Sequence, residues 1–195
     1  MHRTTTSSLA LLPLLCTLSL GAGAAEYPAS PITLVVGYGA GGGTDVCNRV
    51  LAMNVGKQLG QTVIVDNKPG AGTTLSLSHG ARQKPDGYVL TALSSAGVLN
   101  QVLMPKVAYD VVRDFTPVAM VAQYQAGILV RADSPHKTLA DLIKASKSSA
   151  KTLSYSTAGI GTPQHLTAER LAKQEAVDWV HAPYKSGPEA ITALM

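Results

Sequence analysis

The stretch Ile32–Asp45, ITLVVGYGAGGGTD, decides the fold. A short apolar run, Ile32 to Val36, passes directly into a glycine-rich loop, and a helical pattern begins at Thr44. The apolar run predicts a buried strand, and the order strand, loop, helix is typical of α/β proteins with a parallel sheet. Ligands of such sheets bind beyond the carboxyl ends of the strands, so the loop is the first candidate site.

The same order of elements recurs along the chain. Further strands are predicted at Thr62–Asp66, Tyr88–Leu93, Ala126–Asp133, Thr152–Ser156 and Ala176–His181, and the segment Val107–Gln123 is predicted to be a loop followed by a strand. Helices are predicted at Thr44–Leu59, from the NKPGAG loop to about Gln83, from Leu139 in LADLIKASKSS, and from Pro163 to about Gln174. This alternation predicts mostly parallel sheets flanked by helices.

The first 25 residues have the pattern of a secretory leader. A weakly basic start precedes the apolar run Leu9–Leu20, and Ala22 and Ala24 form an A-x-A cleavage pattern. The run is shorter than the ~20 residues of a membrane-spanning helix, and Pro13 interrupts it. We therefore expect residues 1–25 to be a signal peptide and the mature protein to be exported.

The composition argues against several function classes. The chain has 16 Lys+Arg against 12 Asp+Glu, with one Trp and one Phe, so it offers neither a basic patch nor an aromatic platform for nucleic acid. The slight positive charge mildly favours anionic small molecules. Cys47 is the one cysteine after the leader, and its helical context predicts a small, buried, structural residue. No residues are predicted to be catalytic, to bind a metal or to hold a cofactor.

A dinucleotide site is the alternative interpretation of the opening loop. Gly37, Gly39 and Gly42 fit the spacing G-x-G-x-x-G, and Asp66 ends the next strand, as in a nicotinamide-dependent oxidoreductase. Asp45 argues against this alternative, since its carboxylate would compete with a pyrophosphate for the amides at the helix start. An exported protein also has little access to a free nicotinamide cofactor.

Three loops have the features of an anion site. GYGAGGGTD, NKPGAGT and TAGIGTPQH each join a predicted strand to a helix. Glycines let the backbone approach a ligand closely, and the first N–H groups of a helix have no intrahelical partner. Such helix starts bind carboxylate or phosphate, so three of them predict an anion site closed from more than one side.

Six stretches together resemble the Bug family of bacterial extracytoplasmic receptors, which serve tripartite tricarboxylate transporters. They are YPASPITLVVGYGAGGGTDVCNRVLA, GQTVIVDNKPGAGTTLS, KPDGYVL, DVVRDFTPVAMVA, LSYSTAGIGTPQHLTAERL and HAPYKSGPEAITALM. They occur in the family's order and cover essentially all of residues 26–195. Family members continue well beyond this chain's end, and the chain stops on a newly opened helix, PEAITALM. We therefore expect a truncated sequence or a fragment.

The resemblance implies an α/β, two-lobed periplasmic binding protein of the Venus-flytrap type. Lobe 1 would span residues 26–124 and lobe 2 residues 125–195, each incomplete because the C-terminal return is missing. The resemblance also implies a receptor without catalysis, whose ligand is a di- or tricarboxylate, an amino acid or an aromatic acid bound partly through bridging waters. The implied partners are the membrane components of the transporter, and a sensor kinase is a further alternative.

The resemblance also transfers two binding loops to this sequence. The first comprises Tyr38, Gly39, Ala40, Gly41, Gly42, Gly43, Thr44 and Asp45, and the second comprises Thr157, Ala158, Gly159, Ile160, Gly161, Thr162, Pro163, Gln164 and His165. Ser94 and Ser95 follow the third strand and are either rim contacts or simple turn residues.

The sequence predicts one role for some residues of these loops and leaves alternatives open for others. Thr162 before Pro163 predicts a capped helix start. Asp45 is predicted to hold water, to cap its helix, to pair with a ligand amine or to be a plain acid of the first helical turn. His165 is either a structural hydrogen-bonding residue or a ligand contact. Many relatives carry a proline-containing pair such as PF before the first loop, so Tyr38 is a candidate specificity residue.

Overall fold

The computed structural model describes residues 26–104, 106–148 and 153–195. The predicted signal peptide, residues 1–25, lies outside the described residues. The strands are β1 (Ile32–Val36), β2 (Val63–Asn67), β3 (Val89–Ala92), β4 (Leu153–Thr157) and β5 (Trp179–Pro183). The helices are α1 (Gly43–Leu59), α2 (Thr74–Gly80), α3 (Ser95–Leu103), α4 (Leu139–Ser148), α5 (Pro163–Glu175) and α6 (Gly187–Leu194), with a short 3-10 helix at Ala71–Thr73 before α2.

The first sheet has the order β2-β1-β3, and both pairings are parallel. The register places Val36 opposite both Asn67 and Ala92, so the three strands end at one edge. The central strand is the most deeply buried, with Val35 and Val36 fully inaccessible, because a central parallel strand is covered on both faces. The predicted β–α–β–α–β order is confirmed for this sheet.

The second sheet consists of β4 and β5, also parallel, with Thr157 opposite Pro183 at its carboxyl edge. Helix α5 forms the crossover between the two strands. Helix α6 packs on β4, where the Ser156 hydroxyl donates to the Ala190 carbonyl over 3.2 Å. The second predicted β–α–β unit is therefore confirmed.

Helix α1 has the predicted length but buries a different face. Gly60 ends it in the left-handed conformation, with φ of 65°, as expected for a glycine after a helix. The buried residues are Asp45, Asn48 and Ala52, whereas the apolar residues that indicated the helix, such as Val50, are about half exposed. Cys47 is partly buried, so the prediction of a buried thiol is only partly met.

Two strand predictions are wrong and one helix was not predicted. Residues 117–131 form no strand, and their apolar side chains are largely exposed, including Met120 at 86% and Leu129 at 66%. A strand needs a neighbour for its backbone groups, and the described part of the chain supplies none for this segment. Helix α3 forms between the predicted third strand and Val107, where no element was predicted. Strand β5 begins at Trp179 rather than Ala176, because Ala176 is in the left-handed conformation that ends α5.

Candidate functional site

The loops at the carboxyl edges of both sheets surround one cavity of about 230 Å³. Its lining residues are Gly37, Gly70, Ala71, Gly72, Thr73, Ala158, Gly159, Ile160, Pro183, Tyr184 and Lys185. The volume is below the ~300–1,000 Å³ of pockets for drug-sized ligands, so a compact metabolite fits better than a dinucleotide. Among these lining residues, Lys185 alone has a charged side chain.

The Asp45 carboxylate holds the first loop in place. It accepts hydrogen bonds from the Gly41 N–H over 2.8 Å, from Arg49 Nε over 2.9 Å and from Asn67 Nδ2 over 2.8 Å. Asp45 is almost fully buried, with 1% of its surface exposed to solvent. Asp45 is therefore a structural acid of the loop, with both oxygens used inside the protein.

These donors also keep Asp45 ionised. Burial raises the pKa of the carboxyl, but the hydrogen bonds from Arg49, the Gly41 N–H and Asn67, together with the Arg49 charge, outweigh it and lower the pKa to about 2. Three hydrogen-bond donors, one of them the cationic Arg49, stabilise this buried negative charge inside the protein. The loop therefore contains a negative charge that is not presented to a ligand.

Asn67 connects the first loop to β2 and was not predicted from the sequence. Its Nδ2 donates to the Tyr38 carbonyl over 3.0 Å as well as to Asp45, and its Oδ1 accepts from Arg49 over 2.7 Å. A signal was present, since Asn67 directly follows the predicted β2 and neighbours the end of β1 in a parallel pairing.

The first loop also contacts the loop between β5 and α6. The Gly39 N–H donates to the Lys185 carbonyl over 3.1 Å, and a side chain on Gly39 would lie 3.3 Å from the Ser186 Cβ. Ser186 caps α6 by accepting from the Glu189 N–H, while Glu189 accepts from the Lys185 N–H over 3.0 Å. Lys185 and Ser186 were not among the predicted site residues, although a strand followed by Ser-Gly-Pro is a helix-start signal.

Tyr38 and Ser94 lie close to each other at the rim of the first loop. The Tyr38 hydroxyl donates to Ser94 Oγ over 3.4 Å, and Ser94 Oγ is 3.5 Å from Thr73 Oγ1. Burial raises the pKa of Tyr38, and the Ser94 hydrogen bond partly opposes the rise. Ser95, by contrast, is the exposed first residue of α3.

The second loop is held largely by its own residues. Thr162 caps α5 by accepting from the His165 N–H, as predicted, and its hydroxyl donates to the Gly159 carbonyl over 2.8 Å. The Gly159 N–H donates to Thr157 Oγ1, and the Gly161 N–H donates to His165 Nδ1 over 3.4 Å. Ala158, Gly159 and Ile160 are the members of this loop that line the cavity.

His165 lies next to a second histidine rather than at the cavity lining. The ring centroids of His165 and His181 are 4.2 Å apart, and His181 Nε2 is 2.7 Å from Thr157 Oγ1. Burial lowers the pKa of His181, and the charge of a protonated His165 would lower it further. Since His165 Nδ1 accepts from Gly161, this geometry favours the structural role for His165.

Two glycines allow the loops of the two sheets to meet. A side chain on Gly72 would overlap the Ile160 carbonyl and the Asn100 amide, and one on Gly161 would overlap the Asn100 amide oxygen. Asn100 is fully buried on α3, and its Nδ2 donates to the Gly72 carbonyl over 2.8 Å. Its Oδ1 has no hydrogen-bond partner among the described residues and faces Gly161. Asn100 lies outside the predicted site, since no local signal distinguishes it within α3.

The remaining residues of the two predicted loops are not among the residues that line the cavity. Ala40 and Gly43 are exposed, Gly42 precedes α1 as its N-terminal cap, Thr44 is half-buried in the first turn, and Pro163 and Gln164 begin α5.

Within the described ranges, no group of three or more His, Cys, Asp or Glu residues is placed to hold a metal ion. No helix in the part of the chain that the structure describes is long and apolar enough to cross a membrane.

Comparison with protein families then identifies the class of receptor. Residues 47–195 match the family described as tripartite tricarboxylate transporter family receptor. The chain belongs to this family. It is 42% identical over 170 residues to the Cupriavidus necator protein named "UPF0065 protein in gbd 5′ region", a match that covers 87% of this chain and 52% of the relative. It is 34% identical over 173 residues to protein BugT of Bordetella pertussis, covering 86% of this chain and 52% of that protein.

Several solved structures share the fold, including that of the periplasmic binding protein BugD. One is MatC from Rhodopseudomonas palustris with bound malate, with a TM-score of 0.79 and 31% identity. Another is an R. palustris protein with adipate, with a TM-score of 0.80 and 28% identity. The matches cover 86% and 87% of this chain and 57% of each structure. This receptor chain thus has the α/β fold of periplasmic binding proteins, and it spans about half the length of the curated relatives it matches.

The Asp45 contacts predict an acid-dependent loss of stability. Because the pKa of Asp45 is near 2 in the folded protein against 3.8 otherwise, its contribution of about 2 kcal/mol is complete above about pH 5 and is lost as the pH falls toward 2. Asp45→Asn should lower the free energy of unfolding by about 2 kcal/mol at pH 7 and flatten its acid dependence, as measured by urea denaturation. Asp66→Asn removes a half-exposed carboxylate paired with Lys68 and should cost less than ~1 kcal/mol. Equal losses would contradict the assignment.

The Gly161 contact predicts a steric effect that exceeds backbone strain. Gly161 has φ of +75° and Gly60 has φ of +65°, but a side chain on Gly60 would meet nothing within 4 Å. Gly60→Ala should therefore cost only the strain of ~1–2 kcal/mol, and Gly161→Ala should cost about 1–3 kcal/mol more through overlap with Asn100. Adding Asn100→Ala to Gly161→Ala should recover part of that excess in a double-mutant cycle. Equal costs for the two glycine variants, with no recovery, would refute the contact.

Proposed function

We propose that this chain is the ligand-binding part of an extracytoplasmic receptor that captures a small dicarboxylate for a tripartite tricarboxylate transporter. The observation that carries the proposal is the cavity between the glycine loops of the two parallel sheets, in a chain that belongs to a receptor family. The ligands in two structural neighbours, malate and adipate, support a dicarboxylate. The membrane components of the transporter are the proposed partners.

The charge around the cavity supports an anionic ligand. Lys185 is the charged lining residue, and α1, α5 and α6 all begin directly after loops at these sheet edges. The N–H groups of Gly43, Thr44 and Asp45 precede the first intrahelical bond of α1, which Val46 donates to Gly42. Such groups give helix starts a partial positive charge that favours carboxylate.

The two sheets would act as the cores of two lobes, residues 26–124 and 125–195. The contacts between Gly39 and Lys185, and between Gly72 and Ile160, join loops from opposite sheets around the cavity. Several amides of the second loop already have partners inside the loop, so we propose that bridging waters mediate part of the ligand contact. The leader pattern and the receptor family together support a periplasmic location.

The nicotinamide alternative receives no support from the first loop. A pyrophosphate would need the backbone N–H groups of the glycine loop. The Gly39 N–H is bonded to the Lys185 carbonyl, and the Gly41 N–H is bonded to Asp45. The family is described as a receptor family, and one structural neighbour is named as the periplasmic binding protein BugD, which supports a role in binding without catalysis.

Titration calorimetry on the purified protein tests this proposal. We expect heat and micromolar affinity, about −8 kcal/mol, with malate, succinate or adipate, and no heat with NAD. Lys185→Met should weaken the binding of the acid about two- to fivefold, because it removes the cation of the lining. Lys57→Met removes the same charge from the far end of α1, ~25 Å along the helix, and should leave the affinity unchanged. Binding of NAD without binding of any acid would refute the proposal.

A further inference from the structure

We infer that the cavity selects dicarboxylates that lack an ammonium group, and so discriminates against amino acids of the same size. This inference rests on the proposed carboxylate-binding function and narrows its ligand class. It depends on where the negative charges of the described loops are directed, and on what each of them already binds.

Asp45, the acid of the first loop, is buried and bonded to the protein through both oxygens. Both oxygens of Asp45 accept hydrogen bonds from the protein, and Arg49 supplies the compensating positive charge at 2.9 Å. With 1% exposure, the carboxylate does not reach solvent or the cavity. Asp45 is also absent from the cavity lining, so it is not placed to serve as the counterion of a ligand ammonium.

The other acids at these sheet edges are also engaged. Asp66 pairs with Lys68 at 3.0 Å. Glu189 accepts the Lys185 N–H over 3.0 Å in the capping of α6, and its side chain lies on the helix rather than among the lining residues. None of the eleven residues that line the cavity is acidic, and Lys185 is cationic.

An ammonium group in this cavity would lose water without gaining a counterion. Backbone carbonyls can accept its hydrogen bonds, but they do not neutralise its charge, and an uncompensated charge is costly to bury. Lys185 adds a positive charge among the lining residues and would repel an ammonium further. A hydroxyl at the same position is neutral and both donates and accepts, so it carries no such cost.

L-Malate and L-aspartate provide the matched probes, because they share a four-carbon dicarboxylate skeleton and differ in a hydroxyl against an ammonium at carbon 2. In titration calorimetry on the purified protein at pH 7.5, we expect malate to bind at least tenfold more tightly than aspartate. Succinate, which has neither group, should bind within about tenfold of malate.

A charge placed in the lining provides the reciprocal test. Ala158 lines the cavity, and Ala158→Asp adds a carboxylate there, whereas Ala158→Asn adds a neutral side chain of the same size. We expect Ala158→Asp to shift the malate-to-aspartate affinity ratio at least tenfold toward aspartate. Ala158→Asn should keep the preference for malate, whatever its effect on overall affinity. Melting curves of both variants establish that they fold, and the malate–aspartate comparison on the unmodified protein stands without them.

The outcomes separate this inference from the function on which it rests. Equal affinities for malate and aspartate, or tighter binding of aspartate, would overturn the selectivity and leave the carboxylate receptor in place. An unchanged ratio in Ala158→Asp, with the variant folded, would also overturn it. Binding of none of the three acids would refute the proposed function, and the inference with it.

Discussion

The close approach of two glycine loops is the constraint on which the candidate site depends. The loop at Gly72 and the loop at Gly161 come from different sheets, and the buried amide of Asn100 occupies the space that side chains at these two positions would need. A parallel sheet brings such loops to its carboxyl edge, but only glycine lets them meet without displacing Asn100. Gly72 and Ile160, which meet at this contact, both line the cavity.

The charge of the first loop also serves to fix the structure of the site. The first loop is fixed by an ionised, buried Asp45 that the protein itself neutralises, so the loop gains rigidity without presenting an acid to a ligand. The cavity lining combines glycine backbone, the hydroxyls of Thr73 and Tyr184, apolar side chains such as Ile160, and Lys185. Such a lining suits a small anion, and it explains how one acidic residue can be structurally essential to an anion site.

The sequence predicted the local elements well and the tertiary contacts poorly. Strand β1, helix α1 and the Thr162 cap were predicted because strand patterns, capping residues and terminal glycines act over a few residues. Asn100 was missed because its role depends on neighbours distant in sequence. Asn67 and Lys185 were missed although a strand end at Asn67 and a helix start after Lys185 were visible in the sequence. The strand predicted at 126–133 was wrong because an apolar pattern does not supply the partner that a strand requires, and the exposed face of α1 shows the same limit for helices.

The most direct test of the account is to map bound dicarboxylate onto the backbone by 15N-resolved NMR during titration with malate. The account predicts the largest amide shifts at Gly72, Thr73, Ala158 and Ile160, which line the cavity, and none at Gly60, at the far end of α1. Shifts centred instead on the start of α4, with the glycine-loop amides unchanged, would contradict the claim that these loops bind the ligand.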